Sequence, residues 1–173
     1  MNALIQEIND PDFVVIGVPC NNFGLQEPGS NSEILNGIKY VRPGNGYEPL
    51  FELTTKEDVN GGNEHPLFTF LKNGCPNPLL IIGDPSRLYW TPISQTDYTW
   101  NFEKTLINRA GVAVTRYVPA VDPAALVDDV RALLAESADN TAMKPLVKSP
   151  RGLRPTRLYW TPISQTDYTW NFE

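Results

Sequence analysis

The chain has 173 residues, 41% of them hydrophobic, a net charge of -6 and two cysteines. That size fits one domain around one core, and no apolar run reaches the ~20 residues needed to cross a bilayer. The acidic balance argues against broad nucleic-acid binding, which sets Lys and Arg against phosphates, and two cysteines supply neither a disulfide framework nor a metal cluster.

In chain order, Leu4, Ile5 and Ile8 fall on one helical face, and Asp10-Pro11 ends that helix because a residue before proline avoids the α region. Phe13 to Val18 (FVVIGV) is a β-branched run without alternation, the pattern of a strand buried on both faces. Ser30 and Glu33 form a capping-box pattern ahead of Ile34, Leu35 and Ile38, so a second helix starts there. Pro43 to Gly46 and Asn60 to Asn63 carry turn chemistry, and Pro66 opens a short helix through Leu71 that Gly74 can close. Phe102 to Ile107 and Val112 to Tyr117 read as a hairpin turning at Asn108 to Gly111. Asp122 with Pro123 then caps a helix striped by Leu126, Val127, Val130, Leu133 and Leu134.

Beyond this unit (residues 1–135), residues 136–156 are rich in Ser, Asn, Lys, Arg and Pro and read as a disordered linker. Arg157 to Glu173 then repeats Arg87 to Glu103 letter for letter. Solenoid repeats drift in sequence and occur at least three times, so this single perfect copy reads as a duplicated exon or an assembly error rather than a second site.

Four segments carry a family resemblance: VPCNNFGLQEPGSNSEI (Val18 to Ile34), KYVRPGNGYEP (Lys39 to Pro49), PLFTFLKNGCP (Pro66 to Pro76) and WNFEK (Trp100 to Lys104). In order and spacing they resemble the glutathione peroxidase family, in wording the tetrameric plasma-type members, over roughly residues 1–134. The resemblance implies a thioredoxin-like α/β fold and reduction of hydrogen peroxide and organic hydroperoxides by glutathione, with no bound cofactor. It places the peroxidatic selenocysteine or cysteine upstream of Met1, together with the first strand and most of the first helix. On that expectation the chain as written is inactive, and apolar strand edges are left open mid-sheet.

The resemblance also assigns roles. A peroxide is reduced by a thiolate or selenolate, and nearby amide and indole N–H groups stabilise that anion. The family's donors map to Asn22, where Gln is usual, and to Trp100 and Asn101. Arg42 and Arg116 match positions associated with glutathione, whose carboxylates suit a guanidinium. The loop from Tyr40 to Leu50 resembles the one through which tetrameric members assemble, and the subgroup leans extracellular, although the N-terminus shows no leader pattern. Cys20, following the FVVIGV strand, reads as packing; Cys75 reads as an exposed loop thiol; His65, ahead of Pro66, reads as a surface or capping residue.

Overall fold

The computed structural model describes residues 1–78, 84–136 and 158–160. The expected linker, apart from Glu136, and the rest of the repeated segment lie outside the described residues.

Helix α1 (Asn2–Ile8) ends at Asn9, which takes a left-handed φ of 45° and donates its N–H to Ile5 O. Strand β1 (Val15–Gly17) is shorter than the FVVIGV run; Phe13 and Val15 join one apolar cluster, and Val18, just past its end, joins the other. Phe13 and Val15 are buried whereas Val14 is 52% exposed, so ordinary strand alternation operates despite the uniform composition. Helix α2 (Asn31–Tyr40) begins as its capping box requires: the Glu33 carboxylate accepts from Ser30 N–H at 2.8 Å and from Ser30 Oγ at 2.6 Å. Strand β2 (Glu52–Leu53) had no signature in the sequence.

Helix α3 (Pro66–Gly74) carries proline in its first turn, and His65 is its N-cap, with Nδ1 accepting from Leu67 N–H at 3.2 Å. Strands β3 (Lys104–Ile107) and β4 (Ala113–Tyr117) form the expected hairpin. Its turn closes through Gly111 N–H to Asn108 O at 2.9 Å and Val112 N–H to Asn108 Oδ1 at 2.9 Å, with Gly111 at φ 79°. Asp122 Oδ1 accepts from Ala124 N–H at 2.7 Å and caps a 3-10 turn, Pro123–Leu126, that runs into helix α4 (Val127–Leu134).

Strand β5 (Leu158–Trp160) comes from the repeated segment, and the sheet order is β2-β1-β5-β3-β4. β5 lies parallel to β1 and antiparallel to β3, so the mid-sheet position expected to be open is filled. Among the described residues two apolar clusters form. Leu4, Val15, Ile34, Ile38, Leu106, Val130 and Leu133 draw α1, α2 and α4 together; Val18, Phe23, Phe68, Leu71, Tyr98 and Ile107 gather around α3. Leu106 and Ile107, adjacent on β3, go to different clusters, as the period of two requires.

Candidate active site

The loop after β1 and the segment before β3 meet at an aromatic junction. Phe23 stacks edge-on to Trp90 (ring centroids 5.3 Å apart, 79° between planes) and lies 5.8 Å from Trp100. Backbone bonds hold this junction: Gly24 N–H donates to Arg87 O at 2.9 Å and Tyr89 N–H to Asn22 O at 3.0 Å. The Arg87 guanidinium carbon sits 4.4 Å from the Trp100 ring centroid, a cation–π contact that the sequence reading missed. Trp90 Nε1 donates to Asp97 Oδ2 at 2.8 Å, whereas among the described residues Trp100 Nε1 has no hydrogen-bond partner.

Asn101 is buried beside Trp100, and its Nδ2 donates to Gln26 Oε1 at 2.6 Å. Its Oδ1 is also buried and has no hydrogen-bond partner among the described residues. Next to Gln26, both carboxyl oxygens of buried Glu27 are likewise unpartnered, and desolvation pushes this acid up to about 7 against a weaker opposing pull from Lys56. Lys56 Nζ donates to the Gly29 carbonyl at 2.5 Å and the Glu27 carbonyl at 3.2 Å, so it holds the backbone of this loop. Gln26 and Glu27 were not singled out from the sequence; the 75-residue contact with Asn101 marks Gln26, and the buried carboxyl oxygens mark Glu27.

The structure brings Trp100 and Asn101 together but directs the Asn22 side chain elsewhere. Asn22 is buried; its Nδ2 donates to Asp58 Oδ1 at 2.9 Å, and its Oδ1 accepts from Val59 N–H at 3.0 Å and from Cys20 Sγ at 3.1 Å. This amide braces the loop at Asp58 and Val59. Arg116 is also engaged inside the protein. Its Nε donates to Glu103 Oε2 at 2.6 Å, Nη1 to Thr96 O at 2.8 Å and Nη2 to Asp97 O at 2.7 Å, and its guanidinium carbon lies 3.9 Å from the Tyr98 ring centroid. Arg42 is half-buried just past α2, with its N–H on Gly37 O at 2.8 Å.

Both thiols are buried. Cys20 packs with Val18, Phe23 and Val59, and desolvation raises it to about 12. Cys75 is not the exposed loop thiol expected: it is 7% exposed beneath α3, and burial pushes it to about 11. A cavity of about 230 Å³ lies apart from Trp100, lined by Gly61, Glu64, Lys72 and Asp97 among others. Its charges are satisfied by one another, Lys72 pairing with both Glu64 and Asp97. Among the described residues there is no cluster of side chains able to hold a metal ion, and no helix is long and apolar enough to cross a membrane.

Comparison with known proteins places this arrangement. Residues 1–72 match the family model described as glutathione peroxidase. "Glutathione peroxidase 1" of Rattus norvegicus is 45% identical over 144 residues, covering 81% of this chain and 72% of that protein. "Epididymal secretory glutathione peroxidase" of Sus scrofa is 48% identical over 136 residues (79% and 62%), and "Glutathione peroxidase 6" of Mus musculus 52% over 117 residues (68% and 53%). The chain thus spans 62% and 53% of the length of these last two relatives. At this identity and coverage, the chain belongs to the glutathione peroxidase family and has its thioredoxin-like α/β fold.

Proposed function

We propose that this chain carries the supporting part of a site that reduces hydrogen peroxide and organic hydroperoxides at the expense of glutathione. The balanced reaction takes one hydroperoxide and two thiols to one alcohol (or water), one water and one disulfide. A thiolate or selenolate attacks the outer peroxide oxygen, the O–O bond breaks, and the departing oxygen takes up a proton. Two glutathione thiols then return the oxidised chalcogen to its resting state and leave as the disulfide. Trp100 supplies an indole N–H and Asn101 an amide for the anion and the peroxide oxygens. The observation that carries this reading is the pairing of Asn101, buried and fixed by Gln26, with a tryptophan whose N–H is not otherwise engaged among the described residues.

In this reading the nucleophile is neither Cys20 nor Cys75. At about 12 and about 11, their thiolates amount to roughly one part in 10⁴ or less at neutral pH. Arg42 is the proposed cation for a glutathione carboxylate. The exposed apolar side chains of Tyr40, Val41 and Leu50, all within the loop from Tyr40 to Leu50, support assembly into a homo-oligomer through it. An extracellular site of action is supported by the Sus scrofa relative, whose name calls it secretory. Burial of both thiols also favours a second reading, a non-catalytic thioredoxin-fold subunit.

Peptide mapping and intact mass of the protein from its natural source, with glutathione-dependent turnover measured on the same sample, decide between them. We expect a selenocysteine or cysteine outside the present 173 residues, and turnover that Trp100→Phe and Asn101→Ala each reduce by about 10²–10³-fold. A natural product without such a residue and without turnover would leave the subunit reading.

A further inference from the structure

Two tryptophans flank Phe23, and they are held in opposite ways. Trp90 is fixed through its N–H, Nε1 donating to Asp97 Oδ2 at 2.8 Å. Trp100 is fixed by its ring alone. Phe23 lies against it with centroids 5.8 Å apart and 50° between planes, and the Arg87 guanidinium carbon sits 4.4 Å from its centroid. At the benzo end of the indole, Gly24 has φ 59°, and a Cβ added there would come 3.4 Å from Trp100 Cη2, so the chain passes close to the ring. A donor meant for a substrate cannot be oriented by its own hydrogen bond, since that bond would occupy it. These three contacts hold the indole, and none of them uses the N–H.

The main chain in turn sets Arg87. It ends the 3-10 turn Pro85–Arg87; its N–H donates to Asp84 O at 3.0 Å, its own O accepts from Gly24 N–H at 2.9 Å, and the next residue, Leu88, bridges antiparallel to Phe23. Asp84 closes that turn, Oδ1 accepting from Ser86 N–H at 2.9 Å and from Ser86 Oγ at 2.8 Å. The Arg87 side chain is exposed, and laying it on a ring costs rotamer freedom that the attraction between cation and π-face offsets. The consequence for the ring is electronic. A cation on the face draws π density toward itself, which makes the N–H a stronger donor and sets a positive charge near any anion that this N–H binds.

We infer that Arg87 is a positioning residue for the peroxide half of the reaction: it holds the Trp100 ring by its face and strengthens the N–H that receives the departing peroxide oxygen. This rests on the reaction proposed above, in which that oxygen leaves with negative charge before it takes up its proton. The test measures the two half-reactions separately, oxidation by hydroperoxide and reduction by glutathione, on variants expressed in the natural host. Arg87→Gln should slow the peroxide step about 5–10-fold and the thiol step by less than about twofold, and Arg87→Lys, which keeps a cation, should restore part of the loss. Because the side chain is exposed, Tm should move by no more than about 2 °C. In isotope-labelled protein the Trp100 indole N–H resonance, identified by its loss in Trp100→Phe, should shift in Arg87→Gln while that of Trp90 stays. A peroxide step slowed by Trp100→Phe but not by Arg87→Gln, or a Trp100 resonance that does not move, overturns the inference and leaves the reaction standing. A slowed thiol step beside an unchanged peroxide step would make Arg87 a docking group for glutathione, and a large fall in Tm would make it a structural one; each overturns the inference as well. No turnover, or turnover that Trp100→Phe leaves unchanged, overturns both the inference and the reaction it rests on.

Discussion

Of the four side chains in Trp100-Asn101-Phe102-Glu103, only Trp100 reaches the surface; the others serve the interior. Glu103 is buried and ion-paired to Arg116, whose remaining donors hold the carbonyls of Thr96 and Asp97. Removing one partner leaves a buried charge uncompensated, so Arg116→Met should cost about 3–5 kcal/mol in urea unfolding. An unchanged midpoint would mean that this arginine is not structural. Glu27 gives a pH prediction. Its folded pKa, about 7, lies above the ordinary carboxyl value of 4.5, so the folded state holds a proton that the unfolded state has lost. Stability from this group is therefore present below pH 4.5, declines as pH climbs to about 7, and is level above it. Glu27→Gln removes that decline: the variant's Tm minus the wild type's should grow between pH 4.5 and 7. Parallel profiles would show that Glu27 does not titrate there.

At the scale of elements, the boundaries legible in the sequence are those set by neighbours a few residues apart. The capping box at Ser30 and Glu33, the proline after His65, the Asp122-Pro123 start and the Gly111 turn each depend on local geometry and each appear as read. What was illegible depends on distant chain. β2 is two residues long and exists only because β1 pairs with it. Cys75, which reads as loop, is buried because α3 brings it to the cluster containing Ala113. Asn101 and Gln26 meet across 75 residues, and Asn22 turns toward Val59 rather than toward Trp100, side-chain directions that no local pattern in the sequence carries. The hairpin offers a test of the local kind. Gly111→Ala must hold alanine at φ 79°, where its Cβ meets nothing within 4 Å but its own backbone is strained, so a loss of about 1–2 kcal/mol is expected in thermal unfolding. Since there is no clash, a loss well above this would point to a contact rather than to backbone conformation.

On the scale of the whole molecule, one sheet separates two apolar clusters, and the junction of Phe23, Trp90 and Trp100 belongs to the cluster around α3. The loop after β1 and the approach to β3 belong to strands on either side of β5. A further consequence of the duplication is optical. The four tryptophans are Trp90, Trp100, Trp160 and Trp170, so every indole in the protein lies within one copy of the repeat or the other. Its emission spectrum is therefore the sum of the indoles of two identical peptide stretches. Replacing Trp160 and Trp170 by phenylalanine isolates the signal of the candidate site, and the difference spectrum isolates the second copy of the repeat.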